Sequence, residues 1–273
     1  MTKLPIKQMI LAFANALAIA SFTSCFTQIQ AQTHSPPIST VRFTPPSPPD
    51  RGAPSGRQQG GASRGSCPAV DKPLTALVPA TQKTLAGTKG GSPALDTFES
   101  VWGLTAAEYP TLWFYVPYSL TPELPIEFVL QDAQGNDVYK TTLTTSKTPP
   151  GIVKFRLPST AAPLEVGKMY HWYFSATCAP DAPVFVEGWV QRVVLLPTLA
   201  SQLQKATPRE SIALYAANGY WYDALTTLAE LRSTNLGDAT LKSDWVSLLH
   251  SVDLDAIAEE PIVQCCTPKK DSK

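Results

Sequence analysis

The nine residues YHWYFSATC, Tyr170 to Cys178, hold one of the chain's three His and one of its five Cys among four aromatic side chains. A Cys and a His are the parts of a thiol nucleophile, in which the imidazole takes the sulfur's proton across a direct hydrogen bond. The spacing argues against that chemistry. On a strand His171 and Cys178 stand about 23 Å apart at about 3.3 Å per residue, and seven positions of separation put them on opposite faces. Tyr170, Trp172, Phe174, Ala176 and Cys178 share the apolar face, which suits a core. Met169, His171, Tyr173, Ser175 and Thr177 share the mixed face.

The other common chemistries find no foothold. His34, His171 and His250 form no local cluster, and there is no CxxC pair or HExxH, so no metal site is expected. Walker-type and dinucleotide-type glycine motifs are absent, so no cofactor is expected. GTKGGS, Gly87 to Ser92, has the wrong spacing for a phosphate loop and is read as a flexible turn. No GxSxG elbow occurs, and no pair of carboxylates is nominated locally.

One constellation carries a binding hypothesis. If APDAP (Ala179 to Pro183) closes a hairpin with Cys178 opposite Val184, Tyr173 faces Trp189, His171 faces Gln191 and Ser175 faces Glu187. Two aromatic rings bordered by polar groups suit a sugar or a partner loop. The competing expectation is that C-terminal helices cover this face and turn Tyr173 and Trp189 into a second small core. That reading is favoured, because the apolar stripe at Trp221 to Leu231 must bury against something. A one-residue slip of register would dissolve the arrangement.

The elements that must position these residues follow from the patterning. From Cys67 to Pro197 short apolar runs alternate with turn signals: LTALVP, TLWFYVPY, PIEFVLQD, VYKTTLT, IVKFRLP, KMYHWYFSATC and VFVEGWVQRVVLL. Gly135 and Asn136 mark a hairpin turn. The pattern predicts a mainly β fold, an antiparallel β-sandwich of Ig-like or jelly-roll-like type over 67–197. From Leu199 the period becomes helical. Thr207 to Glu210 is a capping box with Pro at the first helical position, Asn218-Gly219 is a stop, and Asp238 caps a further helix. The reading is a small helical hairpin over 198–260 packed on the sandwich, then a flexible tail, 261–273. Ala213 to Leu231 looks like one tetratricopeptide-type hairpin, but no second copy follows at that period.

The N-terminus has the layout of an export signal: Lys3 and Lys7, then the 14-residue apolar run Met9 to Phe22, then polar residues. Cleavage after Ala31 makes 1–31 a signal peptide. Lipid attachment at Cys25 is the minor alternative. The run is too short to span about 30 Å of hydrocarbon, and no later run is long enough. Residues 32–66, built from Pro, Ser, Gly, Gln and Arg, are expected to be a disordered linker. Export to the periplasm or beyond makes disulfides the default, and Cys67 with Cys178 at the two ends of the β region is the natural pair. Adjacent cysteines rarely bridge, because the ring is strained, and the pairing of Cys265 and Cys266 is left open. The 22 basic and 22 acidic residues balance, so no global field draws the chain to nucleic acid.

GSCP, GLTAAEYPTLWFYVPY, YHWYFSATC, VFVEGWVQRV and ALYAANGYWYDAL together resemble the cyanobacterial family called domain of unknown function 928, in order over most of Cys67 to Val252. The resemblance implies an export signal, a β-rich body, a helical C-terminal part and a cyanobacterial envelope or secreted protein. It implies no catalytic residue. The expected function is a non-enzymatic binding or structural module of the cell envelope with a protein or glycan partner, its oligomeric state open. The alternative is a hydrolase-like enzyme whose acids converge only in the fold; a carboxylate beside His171, or two in a deep pocket, would favour it.

Overall fold

The computed structural model describes residues 41–49, 54–60, 67–89, 92–178 and 183–268, with side chains left aside at 85–96, 144 and 267–268. The expected signal peptide, Cys25, His34 and the far end of the expected tail lie outside these residues. The fold is mainly β, with two sheets and a C-terminal helical region.

The smaller sheet has three strands in the order β1 (Thr75–Ala76), β4 (Thr111–Val116) and β7 (Gly151–Arg156). The larger has seven. Its order is β10 (Thr267–Pro268), β6 (Asp137–Thr144), β5 (Ile126–Gln131), β8 (Met169–Ala176), β9 (Val184–Arg192), β3 (Ser92–Thr105) and β2 (Ala80–Lys89). The alternation in β5, β8 and β9 gives each strand one buried face. Aromatic rings join the sheets: Phe114 stacks on Phe174 at 3.9 Å and meets Trp172 edge-on, and Phe128 stacks on Phe155 at 3.9 Å. Every residue of β4 is buried. Phe114 faces the other sheet, while Trp113 on the opposite side of β4 donates its indole N–H to Thr226 Oγ1 at 3.1 Å. A strand covered on both faces needs a continuous apolar run, and TLWFYV supplies it.

The helices are α1 (Pro197–Leu203), α2 (Pro208–Ala217), α3 (Trp221–Thr234), α4 (Ala239–His250) and α5 (Asp255–Ala258). The capping box forms with both reciprocal bonds, and Asp238 caps α4 through Thr240 N and Leu241 N. Gly219, at φ +81°, turns α2 into α3. The first turn of α3 packs beside β3. A Cβ on Gly103 would lie 3.1 Å from the Tyr222 ring and 3.2 Å from Trp221 Cβ, so the helix sits where a larger residue would push it away. The Tyr222 hydroxyl, fully buried, accepts from Trp172 Nε1 at 3.0 Å and donates to the Trp189 carbonyl at 3.0 Å. Trp221 donates to the Leu77 carbonyl at 2.8 Å.

Four expectations need correction. The sheet is not wholly antiparallel: β3 runs parallel to β9, from Trp102 beside Trp189 to Thr105 beside Arg192. The strands β2 and β3 were not expected at all. They pair from Ala80–Val101 to Lys89–Ser92 as a ribbon that takes in most of the segment read as a turn. Thr81, Gln82, Thr84 and Thr97 are exposed, and a ribbon wet on both sides shows no apolar alternation.

The third correction concerns 32–66. Val41 and Phe43 are buried, and Phe43 meets Trp221 edge-on at 5.0 Å. Residues 54–60 form a strap that pairs with both sheets, through an Arg57–Glu187 bridge to β9 and a Gln59–Thr75 bridge to β1. Gln58 is buried and donates its side chain to the Val78 carbonyl at 2.7 Å. A Cβ on Gly56 would come within 2.7 Å of Val101, and one on Gly60 within 2.6 Å of Val184, so glycine here permits close approach.

The fourth concerns the tail. Ile262 bridges Ile152 of β7, and β10 pairs with β6, so the segment clasps an edge of each sheet. The pairing left open in sequence is also given: Cys265 and Cys266 are bonded to each other, with Cys266 at φ +54°.

Cys67 and Cys178 are disulfide-bonded, with Cα atoms 5.1 Å apart at a sequence separation of 111. Reduction of this bridge is expected to lower the unfolding free energy by up to about 4–5 kcal/mol on the chain-entropy model, read from denaturant curves with and without reductant. Tyr222→Phe leaves Trp172 Nε1 and the Trp189 carbonyl without their shared partner. A loss of about 2–3 kcal/mol is expected by the same measurement, with the near-ultraviolet spectrum of the folded form retained.

Candidate functional site

The hairpin of β8 and β9 pairs Ala176 with Val184, two residues away from the expected register. Cys178 leaves the ladder to meet Cys67, Thr177 N bonds the Pro125 carbonyl at 3.2 Å, and Pro183 has no N–H to offer. A shift of two preserves which face each residue occupies. The facing pairs become His171–Trp189, Tyr173–Glu187, Ser175–Phe185 and Met169–Gln191. The expected pairs Tyr173–Trp189, His171–Gln191 and Ser175–Glu187 are not formed.

The new register brings four of the six expected residues into one cluster. His171 lies flat on Trp189, with ring centroids 4.3 Å apart and planes 7° apart. Its Nδ1 is 2.9 Å from Tyr173 Oη, and its Nε2 is 3.0 Å from Glu187 Oε2, close enough for an ion pair but not aligned as a hydrogen bond. Burial, then the charge of Glu187, raises the Tyr173 pKa above its ordinary value. Trp189 donates its indole N–H to the Ser55 carbonyl at 2.9 Å, and the Arg57 guanidinium lies over Phe185 at 4.5 Å. Ser175 and Gln191 stand apart: Gln191 donates to the Gly167 carbonyl at 3.2 Å, and Ser175 sits between Phe185 and Glu127. All six are partly exposed. The helices do not cover this face, which corrects that expectation. The strap borders it instead.

The chemistry available to the cluster is narrow. Tyr173, His171 and Glu187 form a relay with a carboxylate beside the imidazole, the feature a hydrolase would need. Nδ1 is nevertheless taken by Tyr173, and Nε2 is buried against Glu187 without a hydrogen bond. Ser175 is four residues from His171 along β8, about 13 Å away, beyond reach as a nucleophile. Cys178 is consumed in its disulfide. Among the described residues no group of three or more His, Cys, Asp or Glu could hold a metal ion, and no helix is long and apolar enough to cross a membrane.

The family model for Domain of Unknown Function (DUF928) matches residues 59–262, about three quarters of the chain. The chain belongs to this family. No curated protein and no solved structure matches it. The DUF928 match takes in every strand but β10, the Cys67–Cys178 bridge, all six residues expected of the platform and the helices through α5.

Two features of this DUF928 chain were not singled out from sequence. Arg232 and the residues around it line a cavity of about 860 Å³ between α3, α4 and the segment after α5. Asp223, in the first turn of α3, borders a second of about 190 Å³ with Thr105, Tyr109 and Tyr215. Ala106 N donates to Asp223 Oδ2 at 3.0 Å. Burial raises the Asp223 pKa from 3.8 to about 6, against hydrogen bonds from Ala106 and Thr105 that lower it. An acid at a helix start is read in sequence as a partner for the macrodipole, which hides its desolvation.

The consequence for stability has a definite sign. The folded protein holds the Asp223 proton more tightly than the unfolded chain does. The associated stabilisation is fully present below pH 3.8, and it is lost as pH rises through about 6. Asp223→Asn is neutral throughout and should flatten that decline. A gain on the order of 1–2 kcal/mol is expected for it at about pH 7.5, read from denaturant curves across the pH range.

Proposed function

We propose that this chain is an exported envelope protein, of the cyanobacterial kind its family resemblance implies, that acts by binding a protein or glycan partner and not by catalysis. The observation that carries the reading is the His171–Trp189 stack, held from one side by Tyr173 and from the other by Glu187, on an uncovered sheet face. Its rings are locked by packing and hydrogen bonds before any ligand arrives, so little side-chain freedom is lost on contact. Aromatic faces with polar edges suit a sugar ring or a partner's loop. The Cys67–Cys178 bridge suits an oxidising compartment outside the cytoplasm. An Ig-like or jelly-roll-like relationship of the two sheets belongs to the same proposal.

The hydrolase reading has one observation in its favour, the Glu187 carboxylate beside His171. It needs an imidazole nitrogen that can reach a substrate and a nucleophile or water held next to it. The Tyr173 contact at Nδ1 and the burial of Nε2 weigh against the first requirement, and the distance to Ser175 against the second.

Affinity capture from envelope extract, followed by mass spectrometry, tests the platform. A Trp189→Ala protein that keeps the melting temperature of the parent to within a few degrees and its Cys67–Cys178 bridge is expected to lose at least tenfold of the captured partner. Unchanged capture by such a protein would remove the platform from the function.

A further inference from the structure

A roomy cavity lies away from the platform. Trp113, Lys154, Arg232, Leu236, Val263 and Cys265 are among its lining, and its volume of about 860 Å³ falls in the range of ligand pockets, about 300–1,000 Å³. Two independent features meet there.

The first is an open sheet edge. Ile152 N donates to the Pro261 carbonyl at 2.7 Å, and Val263 N donates to the Ile152 carbonyl at 2.9 Å, so the C-terminal segment begins a parallel strand on β7. It then turns away into Cys265 and Cys266. Residues 154 and 156 point their backbone groups to the same side as 152, because donors alternate along a strand, and β4 already pairs with the other side. No backbone hydrogen bond among the described residues reaches Lys154 or Arg156 from that side.

The second is an arginine without an acid. The Arg232 guanidinium lies over Trp245 at 4.7 Å, and its Nη1 is buried with no hydrogen-bond partner. Burial draws its pKa below the ordinary value, with Glu259 acting in the other direction. The acids that share the cavity are engaged elsewhere. Glu230 pairs with Lys154 at 3.9 Å, Glu259 with Lys242 at 3.1 Å, Glu260 with Lys72, and Asp238 caps α4. A desolvated guanidinium in this position is short of the two-oxygen acceptor that its fork matches best.

We propose that this cavity binds the extended C-terminus of a partner protein, which adds a strand to β7 beside Lys154 and Arg156 and sets its terminal carboxylate against Arg232. The open edge supplies affinity through main-chain bonds that any sequence can make, and the arginine fixes direction and register. The site is separate from the platform, and neither depends on the other.

Nuclear magnetic resonance titration distinguishes the sources of carboxylate. Three probes are added to the uniformly ¹⁵N-labelled protein: a pool of random hexapeptides with free C-termini, the same pool amidated, and sodium acetate. The free-acid pool is expected to shift the Arg232 side-chain signal together with the Lys154 and Arg156 amides. The amidated pool and acetate should each need at least tenfold higher concentration. Lys154→Pro removes only the outward N–H, which an edge strand tolerates, and should weaken the free-acid pool at least fivefold. Arg232→Lys should abolish most of the preference for acid over amide. Acetate as effective as the peptide pool would overturn the proposal in favour of a free-carboxylate site. Equal response to both peptide pools, or no response to either at millimolar concentration, would also overturn it. The three-probe comparison on the unaltered protein decides the matter if a variant does not fold.

Discussion

At the joint between the helical region and the β body, one phenol bonds two strands at once. Tyr222 lies fully buried where α3 meets the larger sheet, and its hydroxyl is the only polar atom its side chain carries. That oxygen serves Trp172 on β8 and the backbone of β9 at once. The buried indole N–H of Trp172 is thereby satisfied, and it would cost about 1–3 kcal/mol if left alone. The geometry around it is correspondingly strict. Gly103 must lack a side chain for the ring to sit beside β3, and Gly188 must lack one because a Cβ there would fall 2.5 Å from Trp172. The same backbone carbonyl that anchors Tyr222 belongs to Trp189, whose indole faces the other way as part of the platform. The helical region thus braces the outer face from behind without touching its surface.

What could be read from the sequence follows the physics of burial. The strands β4, β5, β7, β8 and β9 announce themselves because each has a face in the core. The helices do so because capping groups and apolar stripes are local. The faces of His171, Tyr173, Glu187 and Trp189 were legible for the same reason, since alternation fixes parity. Their pairing was not, because it depended on where Cys178 bends away to reach Cys67, and that is a tertiary event. The ribbon of β2 and β3 shows no apolar alternation because Thr81, Gln82, Thr84 and Thr97 meet water on both of its sides. The strap escaped because its glycines and glutamines are what a disordered linker is made of. Backbone pairing and close approach hold it, and neither leaves an apolar signature. Arg232 and Asp223 were silent for a related reason: their character comes from desolvation by distant parts of the chain.

The two surfaces singled out here differ in kind. The platform offers side chains already committed to one another, so it presents a fixed shape and fixed polarity. The cavity offers backbone groups and a cation without their usual partners. A partner of the first is selected by its surface, and a partner of the second by its free end. The platform lies within the span shared with the family, from residue 59 to residue 262, while the cavity takes part of its wall, Val263 and Cys265, from just beyond it.

The strap also determines how the protein would answer to mechanical load. A pull from the N-terminal side first has to draw Phe43 off Trp221, then peel Arg57 from β9 and Gln59 from β1. Whatever tension survives arrives at Cys67 and passes straight through sulfur into the loop after β8. The stretch between the two cysteines, a sequence separation of 111, is short-circuited, so most of both sheets stays out of the force path. The outermost contacts act as sacrificial links, and the body that carries the platform can remain folded while they yield.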